Sequence, residues 1–225
     1  MRLIPLGVGD AFSTRSFATA FVVEHGGTRL LVDCPQPIFR MLAEATDRGL
    51  GADDIDLIFV THLHPDHASG LELLGWDQWV RQSRRLTVVA HAEVVRELRT
   101  QDWANKLLHL VPVPEASSVQ RGPFVFKVRR TRHTVPTAAL LLTAEGHSLG
   151  YSSDTPFDDE LCRWLEGADL VLHEAGEAPV HASLVQLSRL PASTLRKLRL
   201  VHLPDRYIEA TAPLEQLAVG RWYDI

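Results

Sequence analysis

The stretch from Val60 to Gly70, VTHLHPDHASG, sets three histidines and an aspartate within six consecutive positions. Imidazoles and carboxylates crowded in this way are costly unless they share a ligand. A divalent metal ion suits both donor types. The apolar run 57–61 ahead of them reads as a buried strand that Pro65 stops. His62 and His64 lie two apart, so in extended chain they project to the same side. Asp66 and His67 begin the next turn and aim elsewhere. One pair therefore suits one ion and the other pair a neighbouring ion. Three further donors stand at other strand ends: His133 after 124–130, Asp154 after LGYSS, and His202 after LRLV. The seven close two sites if Asp154 bridges, with His62, His64 and His133 in one and Asp66, His67 and His202 in the other. Such donor sets suit two Zn²⁺ ions, with manganese or iron as alternatives.

Two cations held about 3.5–4 Å apart acidify the water between them, hold an anionic substrate oxygen and neutralise charge in the transition state. Asp66 is placed to accept or orient the proton of the attacking water. The leaving oxygen needs a proton as well, a task that suits a histidine with its ordinary pKa of about 6.5. No G-x-S-x-G segment offers a competing serine nucleophile. KVRRTRH at 127–133 puts Lys127, Arg129 and His133 on one face of an extended strand. Those cations serve a phosphate, or else the segment is a solvated edge strand. His91 could line a pocket, and His173 could support the site or simply be buried and hydrogen-bonded. His25, His109 and His147 read as ordinary.

The elements that must carry these residues recur along the chain. Strand-length apolar runs occupy 18–23, 29–32, 57–61, 86–90, 124–130, 138–143, 148–152, 170–173 and 198–202, and MRLIPLGVGD opens on a strand-like run. Several are apolar nearly throughout, as expected for strands covered on both faces. EHGGT at 24–28 and AEGHS at 144–148 are hairpin signals. A helix is expected from Pro37 to Gly49 with Ile38, Met41, Leu42 and Ala45 on its apolar stripe, and others at 91–100 and 157–165. The Pro-rich stretch 112–123 separates two similar αβ halves, expected to pack sheet against sheet within one domain over 1–225.

With 225 residues, 45% hydrophobic and 23% charged, the chain can bury a sizeable core. Its net charge of −5 argues against non-specific coating of nucleic acid. No secretory h-region and no membrane-length apolar stretch occur, and the two cysteines, Cys34 and Cys162, read as buried thiols, so a cytoplasmic protein is expected. Homodimerisation stays an open expectation.

HLHPDH with its distant His, Asp and His resembles the metallo-β-lactamase superfamily, whose signature is HxHxDH. The resemblance covers essentially the whole chain and includes LVDCP at 31–35, where Asp33 matches a supporting acid near the site. It implies a four-layer αββα sandwich with the metals at one edge between the sheets. The second half is similar to the ribonuclease Z and phosphodiesterase branch: YSSDT at 151–155 resembles YSGDT, and LVLHEA at 170–175 resembles LLIHEAT. HAS at 181–183 stands where a histidine of an HST motif would fall. The resemblance implies that Glu174 and His181 form a pair beside the metals, with His181 as proton donor. Three departures accompany it: Ser153 replaces a glycine, Gly176 replaces a threonine, and only six residues separate Glu174 from His181.

Ribonuclease Z itself carries a long arm where only twenty residues lie here between His133 and Asp154, and no C-x-x-C zinc site is present. The expectation is a compact hydrolase acting on a small phosphodiester or a short nucleic-acid end. A lactonase or thioester hydrolase on the same metals is the alternative, although TRHTVP stands where lactonases show TPGH. A non-hydrolytic di-iron protein is the third reading.

Overall fold

Aliphatic runs build the first sheet. β1 (Arg2–Gly7), β2 (Ala20–His25) and β3 (Thr28–Val32) run antiparallel. Between β2 and β3, Gly26 and Gly27 both take positive φ, which is the backbone such a turn needs. β4 (Leu57–Val60), β5 (Leu86–His91) and β6 (Leu108–Val113) then add in parallel. The crossovers place α1 (Ile38–Glu44), α2 (Pro65–Ala68), α3 (Leu71–Gln82), α4 (Ala92–Leu98) and α5 (Asp102–Leu107) around this sheet.

The second sheet repeats the plan, antiparallel strands first and parallel ones after. β7 (Ser118–Arg121), β8 (Phe124–Arg130), β9 (Ala138–Ala144) and β10 (His147–Tyr151) are antiparallel neighbours. After α6 (Asp159–Leu165), β11 (Leu170–Glu174) pairs parallel to β10. α7 (Leu184–Leu187) and α8 (Ala192–Lys197) lead to β12 (Leu198–Val201), and β13 (Tyr223–Asp224) returns to flank β1. This computed structural model describes residues 1–46, 49–208, 210 and 213–225. Positions 47 and 48 of the expected first helix lie outside them.

Alternation along each strand divides its side chains between two layers. Leu57 and Phe59 of β4 face the second sheet, whereas Ile58 and Val60 pack among the helices. Between the sheets Phe21 meets Tyr151 edge-on at 5.2 Å, and Phe59 stacks on Phe126 at 6.1 Å. A third apolar layer joins the outer face of the second sheet to Leu161, Leu165 and Leu187. Helix, sheet, sheet and helix make the αββα sandwich. Several elements lie beyond the sequence expectation, among them α3, α5, α7, α8, β6, β7 and β13. α3 and α5 follow directly on polar segments that mask their period, and β6 carries Pro112, which an edge strand tolerates. The sheets divide between β6 and β7, inside the Pro-rich stretch.

Candidate metal centre

Strands of both sheets end at one edge, and four of them deliver donors there. His62 and His64 follow β4, and Pro65 starts α2 so that Asp66 and His67 occupy its first turn. His133 lies beyond β8, Asp154 beyond β10, and His202 directly after β12. The structure brings all seven together. His62 Nε2 lies 3.1 Å from His64 Nδ1, and His133 Nε2 lies 3.0 Å from the same atom. Asp154 Oδ2 stands 3.9 Å from His62 Nε2 and 3.7 Å from His133 Nε2. In the second group, Asp66 Oδ2 is 3.4 Å from His67 Nε2 and 3.3 Å from His202 Nε2. Asp154 completes it at 3.4 Å from His67 Nε2 and 3.5 Å from His202 Nε2.

These residues fit divalent ions. Around a tetrahedral ion with bonds of about 2.0–2.1 Å, neighbouring donors stand about 3.3 Å apart. The second group matches that edge length, and the first brackets it. The ring tautomers, assigned from the hydrogen-bond network, agree. His62 Nδ1 meets Thr61 Oγ1 at 3.0 Å and His64 Nε2 meets Thr134 Oγ1 at 3.2 Å, so the protons sit on those outer nitrogens. His67 Nδ1 donates to Asp33 Oδ2 at 2.8 Å. The facing nitrogens then converge with lone pairs only. His67 Nε2 and Asp154 Oδ1 are buried without a hydrogen-bond partner. Such orphaned atoms are costly unless something binds them.

Charge points the same way. Asp33, Asp154 and Glu174 are buried and Asp66 is half-buried, and their ion pairs among the described residues are with histidines. Burial opposes the charge of Asp66 and Asp154, yet the surrounding imidazoles hold both well below the usual carboxylate range. Burial would lower His67, but Asp154 and Asp33 raise it to about 10, and Asp154 and Asp66 raise His202 likewise. His62 follows burial instead and falls to about 2. The buried carboxylates thus draw positive charge to the cluster, which a divalent ion would supply.

His181 Nδ1 donates to Glu174 Oε2 at 2.6 Å, and Glu174 Oε1 accepts from the backbone N–H of Thr155. His181 lines a cavity of about 700 Å³ together with His64, Asp66, His133, Asp154 and His202. Its place depends on Gly176. A Cβ there would stand 2.8 Å from His181 Cβ and 3.0 Å from its Cγ, so the short loop closes only over a glycine. Two of the departures from the family pattern thus belong together.

Three residues at the site sit in strained backbone. Asp33, Ser153 and His202 adopt φ of 58°, 52° and 53°, the left-handed region, which favours the glycine that the resembled YSGDT pattern has at the Ser153 position. Thr61, which bonds both Asp33 and His62, and Thr134 escaped the sequence reading. Their signal was a hydroxyl next to a ligand histidine. The cations of KVRRTRH are a correction. Arg129 pairs with Glu160 of α6 at 2.6 Å, and neither it nor Lys127 lines the cavity. Nor is β8 an edge strand, because β7 covers it. His91 caps α4, accepting from Glu93 N at 3.2 Å, and does not line this cavity. His173 donates to the Glu174 carbonyl at 2.8 Å inside the core. Both cysteines are buried free thiols, and no described helix is long and apolar enough to cross a membrane.

Fold and site together define a phosphodiesterase-like hydrolase of the metallo-β-lactamase fold, with a His/Asp cluster of the kind that binds divalent metal. Residues 1–218 match the family model described as Anti-Pycsar protein Apyc1, and the chain belongs to that family. It is 28% identical to the Anti-Pycsar protein Apyc1 of Saccharibacillus brassicae over 253 aligned positions that span 100% of both chains. It is 25% identical to the cAMP/cGMP-dependent 3′,5′-cAMP/cGMP phosphodiesterase B of Dictyostelium discoideum, over 88% of this chain and 20% of that protein. The crystal structure of YhfI from Bacillus subtilis superposes with a TM-score of 0.83 at 19% identity, over 99% and 98% of the two chains. Human tRNase Z, short form, gives 0.76 at 22% identity over 100% and 99%. Both share the fold.

Proposed function

We propose that the protein is a dinuclear metal-dependent phosphodiesterase that opens the cyclic phosphodiester of a small 3′,5′-cyclic nucleotide. The observation that carries this reading is Asp154, shared between two donor groups whose spacings suit one ion each. His62, His64, His133 and Asp154 would hold one ion, and Asp66, His67, His202 and Asp154 the other. Zinc suits these donors, with manganese or iron as alternatives. Two bound metal ions would supply Lewis acidity and lower the pKa of a water at the site. Asp66 then orients the attacking water and takes its proton. His181, with Nδ1 held by Glu174, keeps its transferable proton on Nε2 and delivers it to the leaving ribose oxygen. His181 is also within reach of Asp154 and His202 as a donor, but the Glu174 bond and its place on the cavity wall favour the proton-transfer role.

A small substrate is favoured over a nucleic-acid end. The twenty positions between His133 and Asp154 are taken up largely by the β9–β10 hairpin, with no protruding arm. The relatives from Dictyostelium discoideum are named as phosphodiesterases of 3′,5′-cyclic nucleotides.

The test combines elemental analysis of chelator-free protein with turnover of adenosine 3′,5′-cyclic phosphate, bis-(p-nitrophenyl) phosphate, a lactone and a thioester. Two ions per chain are expected, with ring opening to a nucleoside monophosphate that chelation abolishes and metal restores. Lactone or thioester turnover without phosphodiester turnover would overturn the reading. In a variant with Asp154→Ala both ions should be lost, and in one with His133→Ala mainly the first. Two tightly held ions in the Asp154 variant would refute the bridge.

A further inference from the structure

The segment from Asp10 to Ser16 leaves the sheet, passes the mouth of the metal-cluster cavity and returns to β2. Phe12 in this segment is 88% exposed, more than any other large hydrophobic side chain among the described residues. An aromatic ring held in water forfeits the gain that burial would bring. Phe12 lines the same cavity as His64, Asp66, Asp154 and His181, as does Val180, itself 51% exposed. Two exposed apolar side chains therefore border a pocket whose floor is polar.

The ring is presented by a tightly bonded loop. Asp205 accepts from Ser13 Oγ and Thr14 Oγ1, both at 2.6 Å, and from the backbone N–H groups of Thr14 at 3.0 Å and Arg15 at 3.2 Å. Asp10 Oδ1 accepts from Phe12 N at 3.0 Å, and Asp10 N donates to the Leu203 carbonyl at 3.0 Å. Gly9 permits the return of the chain, since a Cβ there would stand 2.6 Å from Ser13 Cβ. Leu203 and Asp205 follow His202, so the platform and a metal donor share one segment.

We infer that Phe12 is a specificity-determining residue, an aromatic platform on which the nucleobase of the substrate stacks while its phosphodiester sits at the histidine–aspartate cluster. The inference rests on the phosphodiesterase reading above and names what that reading leaves open, the part of the substrate beyond the phosphate. A ring face offers no hydrogen-bond code, so purine and pyrimidine nucleotides are both accepted and the stacking face selects for a base over none.

Steady-state kinetics of wild type, Phe12→Ala and Phe12→Trp would be compared on adenosine 3′,5′-cyclic phosphate and on methyl ribofuranoside 3′,5′-cyclic phosphate, which lacks a base. Phe12→Ala should raise KM for the nucleotide by about 5–150-fold, equivalent to about 1–3 kcal/mol of stacking, with kcat nearly unchanged. Phe12→Trp should restore it, and KM for the base-less phosphate should be alike in all three proteins. Equal losses on both substrates, or no loss on the nucleotide, would overturn the inference. Equilibrium dialysis of adenosine 3′,5′-cyclic phosphate reads stacking without turnover. If wild type opens neither cyclic phosphate, the phosphodiesterase reading falls. Equal nucleotide binding by wild type and Phe12→Ala then removes the platform as well, whereas weaker binding by Phe12→Ala retains it.

Discussion

His181 and Glu174 illustrate how a single pair can be tested apart from the metals around it. Their 2.6 Å contact orients the ring, and Glu174 is wholly buried beneath it. With His181→Ala, metal content and KM should stay nearly intact while kcat falls by roughly 10²–10⁴-fold on substrates with alkyl leaving groups. The loss should shrink for p-nitrophenolate, which hardly needs a proton to depart. Equal losses on both leaving groups would show a binding role instead. Ser153 offers a stability test at the same scale. Its φ of 52° is strained for a side-chain-bearing residue, and its hydroxyl is buried without a partner. Ser153→Gly should therefore stabilise the protein by about 1 kcal/mol, read as a higher urea midpoint. An unchanged or lower midpoint would count against the strain.

Among the elements, the loop from β11 to α7 deserves the comparison with its relatives. Six residues suffice between Glu174 and His181 because Gly176 lets the imidazole fold back over the backbone, with Gly176 N donating to the Ala182 carbonyl at 2.9 Å. Restoring the threonine of the family pattern should be harmful here. Gly176→Thr should displace His181 and lower kcat on alkyl leaving groups by roughly 10²-fold, as expected for a group moved by about 1 Å. Metal content, measured on the same preparation, should not change. Loss of metal would mean that the loop supports the donors rather than the proton transfer. In the sequence, Glu174 and His181 were visible as a pair only through resemblance, since a polar loop carries no period.

At the scale of the whole molecule, the cluster is a seam between two sheets. Asp33, Thr61 and His62 come from the first, and Asp154, Glu174 and His202 from the second. Ions bound there would neutralise buried carboxylates of both halves, so binding and folding are linked. Metal at 100 times its Kd should add about 2.7 kcal/mol of stability, or roughly 5–10 °C in Tm for a chain of this size. Chelation should remove that increment, and Asp154→Ala should show no metal-dependent shift in a thermal melt. Acidification should act like chelation, because protons compete for the imidazoles that the ions need deprotonated.

The meeting of the seven histidine and aspartate side chains was legible in the sequence because each lies just past a run of strand length, and a strand's end fixes where the next side chains go. His62 and His64 share a side through the two-residue period, and Pro65 forces the turn that redirects Asp66 and His67. Local rules of this kind act over a few residues. They could not tell that Arg129 pairs with Glu160 of α6 rather than facing the cavity, because β8 is amphipathic in either case and only packing chooses the cover. Nor could they show that Thr61 and Thr134 set the imidazole tautomers, that Gly176 makes room for His181, or that Asp205 ties Phe12 to the mouth of the site. Those contacts span up to 192 residues of chain, as between Ser13 and Asp205, and exist only once the two sheets have closed on each other.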